Sequence, residues 1–211
     1  MDIGCAQAHY NSQRINTKLS IDSWHDACRT LQGYCSHNTK VIEQDITKIE
    51  NPVDFWREYS GKSELPDLIY GGPPCQAFSQ AGKQKVDEDD RRNLIFEFLR
   101  FVKDLQPAFF ILENVPNLKG VGKGLLYEQL KKQISLLGYN FVVRKLLAAD
   151  YGVPQMRYRL IFMACRSDYG HLTLPEPTHS LSPSFFTEPY NTVQEAFKDL
   201  SKATFRTINK S

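Results

Sequence analysis

Short apolar runs alternate with segments of helical period from residue 18 to residue 166, and this alternation limits the fold more than any other feature of the chain. Lys18 to Ile21 (KLSI), Lys40 to Glu43 (KVIE) and Asp67 to Tyr70 (DLIY) are short strand candidates. Ser23 to Leu31 and Val53 to Tyr59 lie between them and read as helices. Arg91 to Leu105 places Leu94, Ile95, Phe98, Leu99 and Val102 at helical spacing. Ala108 to Leu112 (AFFIL) is an unbroken apolar run, the pattern of a strand buried on both faces. Gly124 to Leu137 is helical again. Asn140 to Leu147 and Arg159 to Cys165 are long apolar strands with no helix between them, so they are predicted to pair antiparallel. The whole pattern predicts an α/β domain with a mostly parallel sheet. In such sheets ligands sit beyond the carboxyl ends of the strands, where Asp22, Asp45, the loop GGPPC and Glu113 all fall.

The length of 211 residues suits one sizeable core and is short for two full domains. A net charge of +2 neither demands nor excludes a nucleic-acid partner. No window resembles a membrane span or a secretory signal, so the expected location is cytoplasmic. Five irregularly spaced cysteines do not form a disulfide framework and are expected to be reduced. His25, Cys28, Cys35 and His37 are zinc-ligand types, but their spacing is not that of a usual zinc site, and no metal is expected. After Ser167 the periodicity stops. Prolines, serines and threonines dominate up to Tyr190, and a short helix candidate follows at Thr192 to Leu200. Residues 1–166 are therefore read as the catalytic domain, and residues 167–211 as a linker and the start of a further region.

Three short motifs carry chemistry. In GGPPCQAFSQAG, residues 71–82, two prolines stiffen the backbone directly before Cys75, which sets the trajectory of a nucleophilic thiol. In ENV, Glu113 to Val115, a carboxylate directly follows a buried strand, a place suited to acid or hydrogen-bonding work. In QMRYR, an extended backbone would put Gln155, Arg157 and Arg159 on one face, with two guanidiniums suited to a phosphate or a polar ring edge. Taken singly, each also fits a blander reading: an incidental cysteine in a proline turn, a solvated glutamate, a basic edge strand.

In combination and order, PPCQ, ENV and QxRxR resemble the DNA cytosine-5 methyltransferase family. The likeness extends to GKQKVDEDDRRNLIFEF and AADYGVPQMRYRL and covers residues 18–166. It implies a Rossmann-like, S-adenosylmethionine-dependent methyltransferase domain acting on a cytosine flipped out of double-stranded DNA. By that resemblance Cys75 is the nucleophile, Glu113 engages ring nitrogen N3, and Arg157 and Arg159 hold the flipped base and the active-site loop. Asp22 matches the residue on the cofactor ribose, and Asp45 and Ile46 the pair beside the adenine. Pro74 and Leu94 fall with the cofactor, and Gln76, Ser79, Arg91, Val115 and Gln155 with the substrate. The segment from Ser79 to Arg92 matches the loop that closes over DNA.

The family's opening strand and its glycine-rich F-x-G-x-G turn have no counterpart before Asp22, and residues 1–11 read better as the helix that follows that turn. The recognition region and the segments beyond it are not matched either. The expectation is a chain cut short at both ends, lacking the first central strand, binding S-adenosylmethionine weakly by itself and turning over little. A monomer is expected, with a cognate restriction endonuclease as possible partner. A tRNA cytosine-5 methyltransferase, an inactive nucleic-acid-binding remnant, and a thiol hydrolase pairing Cys75 with His171 or His179 are the competing readings.

Overall fold

A computed structural model describes residues 2–35, 38–74 and 94–198; Met1, Ser36, His37, 75–93 and 199–211 lie outside the described residues. The chain opens with helix α1 (Asp2–Gln7) and a two-stranded antiparallel hairpin, β1 (His9–Tyr10) and β2 (Gln13–Arg14). The helix expected over residues 1–11 is thus shorter. Asn11 and Ser12 take positive φ of 48° and 67°, a left-handed turn that no helix can run through.

Strand β3 (Leu19–Asp22) and strand β4 (Lys40–Glu43) follow, joined by helix α2 (His25–Tyr34) and paired in parallel, with Asp22 opposite Glu43. Helix α3 (Pro52–Ser60) starts where the Asn51 side chain accepts from the amides of Val53 and Asp54, with Pro52 in the first turn. Strand β5 (Leu68–Gly71), helix α4 (Leu94–Leu105), strand β6 (Phe109–Asn114), helix α5 (Leu125–Leu136), strand β7 (Tyr139–Leu147) and strand β8 (Tyr158–Arg166) complete the body. Their sheet has the order β5-β6-β8-β7, with β5 and β6 parallel and β8 antiparallel to both its neighbours. The antiparallel pairing expected of the last two long strands is what forms.

Among the described residues the sheet is split. The β3–β4 pair and the four-stranded sheet share no ladder, and β3 and β5 each have a strand on one side only. Helix α4 holds the two pieces together by packing on both. Ile95, Phe98, Leu99 and Val102 join Phe110, Leu112, Leu160 and Phe162 in the main core under β6 and β8. Phe101 and Leu105 join Ile49 in a second cluster, against which Ile21 of β3 and Ile69 of β5 both pack. A hydrogen bond of 2.8 Å between the Thr17 and Tyr70 hydroxyls also crosses between the pieces.

Beyond Arg166 the chain forms a short parallel pair, β9 (His179–Ser180) with β10 (Glu188–Pro189), and helix α6 (Val193–Ala196), which Thr192 and Glu195 start with a capping box. This region, read as a linker, is tied to the body. The Thr178 amide donates to the Asp150 carbonyl, and the Tyr190 hydroxyl to the Asp150 carboxylate.

Candidate active site

The strand ends assemble the site. Asp22 closes β3 half-buried, and its Oδ1 accepts from the Trp24 amide at 2.8 Å. Asp45 stands two residues past β4 and starts a 3-10 turn, Ile46–Lys48, with Oδ1 accepting from the Thr47 amide at 2.9 Å and the Thr47 hydroxyl at 2.8 Å. Those two bonds, the amide's first, pull the Asp45 carboxyl below its ordinary range. Ile46 packs on the Ile49, Phe101 and Leu105 cluster, and its carbonyl accepts from Arg100 at 3.0 Å. Arg100 is in turn held at 2.8 Å by Glu97, which is buried. Leu94 begins α4, half-buried.

The second half of the site lies where β5 and β6 end. Gly71 closes β5 under the ring of Phe98, where an added Cβ would come within 2.9 Å of Phe98 Cε2. A side chain at Gly71 would push α4 off the strand end. The chain then runs through Gly72 and Pro73 to Pro74, which is exposed. The Pro73 carbonyl accepts from Asn114 Nδ2 at 2.9 Å, while Asn114 Oδ1 accepts from the Val115 amide at 2.9 Å. Asn114, 4% exposed, thus ties the proline loop to the end of β6 directly before residue 75. Cys75, Gln76, Ser79 and Arg91 lie outside the described residues.

Glu113 is the fifth residue of β6, inside the strand and not after it as expected. Asn114 turns toward the α4–α5 core and Glu113 toward the opposite face, because successive side chains alternate. Ile161 sits opposite Glu113, so Arg159, two residues away on the same face of β8, is its diagonal neighbour. Arg159 Nε meets Glu113 Oε1 in an ion pair whose side chains are only 23% and 27% exposed. Val115 is exposed beside it.

The QMRYR segment needs a correction. Strand β8 begins at Tyr158, and the residues before it are not extended. The Gln155 amide donates to the Val153 carbonyl at 2.7 Å, and the Arg157 amide to the Gln155 carbonyl at 2.8 Å, two consecutive tight turns. Gln155, Arg157 and Arg159 therefore do not share one strand face. Arg159 alone of the three is shown against Glu113, while Gln155 and Arg157 are exposed on the turn. Lys145 stacks over the Tyr158 ring at 4.2 Å.

Of the zinc-type residues near α2, His25 and Cys28 have other partners, and His37 lies outside the described residues. His25 Nδ1 lies 2.7 Å from Glu43, and the buried Cys28 thiol donates to the Asp22 carbonyl at 3.4 Å. Burial, then the nearby Asp22 and Glu43 charges, push the Cys28 thiol up.

Sequence reasoning passed over Glu97 and Arg100, and gave Asn114 no role of its own. The spacing of Glu97 and Arg100, three apart on a helix, was the available signal. Nothing local marked Asn114, because its partner is 41 positions away.

The family model for C-5 cytosine-specific DNA methylase matches residues 1–211. The chain belongs to this family. The chain is 39% identical over 186 residues to the type II methyltransferase M1.HphI of Haemophilus parahaemolyticus, covering 87% of this chain and 46% of that protein. It is 35% identical over 220 residues to the type II methyltransferase M.AquIA of a Picosynechococcus strain, covering 97% and 86% of the two chains. Its fold matches a crystal structure of a proposed DNA modification methyltransferase encoded within an E. coli prophage, with TM-score 0.69, 25% identity, and coverage of 92% of this chain and 50% of that one. The chain thus spans about half the length of several proteins it resembles. The fold is that of the Rossmann-like, S-adenosylmethionine-dependent methyltransferases.

Proposed function

We propose that this chain carries the catalytic part of a DNA cytosine-5 methyltransferase. The observation that carries the reading is the Glu113–Arg159 pair on the end of β6, beside a proline loop that Asn114 anchors directly before Cys75. A carboxyl group then stands near the end of β6, and the chain leaves the neighbouring β5 toward Cys75 through a loop held at Pro73, an arrangement suited to addition to a pyrimidine ring. The printed names of the relatives, type II methyltransferases, favour double-stranded DNA over RNA as the substrate, with a restriction endonuclease as the associated activity.

The residues divide the reaction as follows. The Cys75 thiolate forms a bond to C6 of a flipped-out cytosine, and the ring's electron pair moves to C5. Glu113, oriented by Arg159, donates the proton of its carboxyl group to ring nitrogen N3 and so stabilises the charge that develops there. C5 takes the methyl group, the C5 proton passes to solvent, its electron pair re-forms the C5–C6 double bond as the C6–S bond breaks to return the thiolate, and N3 gives its proton back to Glu113. Arg157 and Gln155, which are exposed on the turn before β8, take the role of meeting the base and its backbone in this reading. Gln76, Ser79, Arg91 and Val115 belong to the same substrate side.

The donor set at the other strand ends fits S-adenosylmethionine. Asp22 and Asp45 offer carboxylates to ribose hydroxyls and adenine edges, and Arg100 fixes the Ile46 backbone beside them. Pro74 and Leu94 complete that side. Bound S-adenosylmethionine would supply a sulfonium-activated methyl group.

The test is transfer of labelled methyl from S-adenosylmethionine into duplex DNA, with 5-methylcytosine identified by mass spectrometry. The protein should be produced with any sequence that flanks residues 1–211 in its gene. Glu113→Gln should lower the rate by about 10²–10³-fold, the usual cost of losing a group that stabilises developing charge. Label appearing in tRNA and not in DNA would overturn the choice of substrate.

A further inference from the structure

We propose that Asp150, His179, Tyr190 and Asn191 are positioning residues that clamp the turn ahead of Gln155–Arg159 and so aim Arg159 at Glu113. The inference rests on the reading of that pair as part of the base-handling site. The turn is gripped from one side by a segment 27 to 40 residues further along the chain. The Thr178 amide donates to the Asp150 carbonyl at 2.9 Å, and the Tyr190 hydroxyl to Asp150 Oδ1 at 2.6 Å. Asn191 Nδ2 donates to the Gly152 carbonyl at 2.7 Å. Gly152 has φ +82°, and a Cβ there would come within 2.9 Å of His179 Cε1, so the imidazole lies directly on the turn's backbone. His179 is itself fixed, its Nδ1 2.8 Å from the Thr178 hydroxyl and its side chain 15% exposed.

From Gly152 to the ion pair the backbone has little slack. The Val153 amide donates to the Ala148 carbonyl at 3.2 Å, and the Ala148 amide to the Arg157 carbonyl at 2.9 Å. The two tight turns at Gln155 and Arg157 occupy the interval, and β8 starts at Tyr158. A shift of Gly152 therefore passes to Arg159 instead of being absorbed. The clamp's contacts are mostly polar, and its residues stand at the surface or half-buried, so their effect falls on the direction of the turn more than on the core. The Asp150 hydrogen bond also keeps the Tyr190 hydroxyl protonated above its ordinary range.

The full chain carrying Tyr190→Phe and Asn191→Ala tests this, beside Phe185→Ser as a control at a fully solvated position of the same segment. Amide hydrogen exchange should rise about tenfold at Ala148, Val153 and Arg157 and stay unchanged in α4 and α5, a local opening rather than global loss of stability. The Arg159 Nε–H resonance, assigned by its loss in Arg159→Lys, should move toward that of a solvated guanidinium. Phe185→Ser should change neither. An unmoved Arg159 signal with unchanged exchange at those amides would overturn the clamp. So would exchange rising equally throughout the domain. Neither readout needs catalysis, so a protein that methylates nothing would refute the proposed activity while leaving the clamp standing or falling on its own data.

Discussion

Replacing Asn114 should damage both the fold and the thiol's placement, and the two effects can be separated. Its side chain makes one bond in each direction: Nδ2 to the Pro73 carbonyl and Oδ1 from the Val115 amide, both at 2.9 Å. Asn114→Ala removes both at a site 4% exposed. Each ordinary hydrogen bond is worth about 1 kcal/mol net, and buried groups left without partners raise the cost, so the loss should be about 2–3 kcal/mol. Asn114→Asp keeps the acceptor for Val115 but turns a carboxylate toward the Pro73 carbonyl. It should free the proline loop at least as much as Asn114→Ala does. Urea unfolding with an unchanged m-value measures the first effect, and mass-spectrometric alkylation kinetics at Cys75 the second. Unchanged stability in Asn114→Ala, or a Cys75 alkylation rate identical in all three proteins, would refute the claim that Asn114 anchors the loop.

Three further outcomes are expected. Burial pushes the Tyr139 hydroxyl up to about 12 where it donates to the Pro107 carbonyl at 2.6 Å, so its folded pKa lies above its unfolded one. That contribution is intact below pH 10 and lost between pH 10 and about 12; Tyr139→Phe should remove this alkaline step in thermal melts, and a step of undiminished size would contradict it. Asp45 has the opposite sign: its pKa is depressed, so the cap of Ile46–Lys48 is intact above the ordinary carboxylate range and lost as pH falls through the folded value. The Thr47 amide should then exchange faster in acid, and Asp45→Asn should abolish that dependence. Residues 1–211 alone should bind S-adenosylmethionine more weakly than micromolar, because among the described residues β3 and β5 are joined by no common strand ladder that would shape the cofactor site; calorimetry giving a micromolar Kd would contradict it.

Hydrophobic period was enough to place the main strands and helices, because each has an apolar side wide enough to show in the sequence. KVIE became β4 with its bounds unchanged, and AFFIL became β6 displaced along the chain, starting one residue later and ending two residues later. Glu113 was misplaced by one step, past the strand instead of within it, because a charged residue in a strand looks like its end unless its partner on the next strand is known. That partner, Arg159, is set by the antiparallel register of β6 and β8, which local pattern does not encode. Gln155 and Arg157 looked extended because alternation of polar and large residues mimics a strand. Backbone hydrogen bonds at Val153 and Gln155 turn the chain there instead. The Pro- and Ser-rich stretch after Ser167 looked like a linker because it has almost no apolar period. Its attachment is polar and long-range, through Asp150 and Gly152, and so left no periodic trace. The strand pattern put Asp22 at the end of β3 and Asp45 just past β4, where they stand, whereas the supports nearby, Arg100 and Asn114, emerged only from packing.

Covalent trapping tests the central claim most directly. A DNA duplex carrying 5-fluorocytosine at the methylated site, incubated with S-adenosylmethionine and the protein in its natural sequence context, holds the reaction after methyl transfer because fluorine cannot leave as a proton does. The account predicts a stable adduct whose peptide map places the DNA on Cys75, with no adduct from Cys75→Ser and a greatly slowed one from Glu113→Gln. An adduct that survives Cys75→Ser undiminished, or methylated DNA formed without any trapped species, would contradict it.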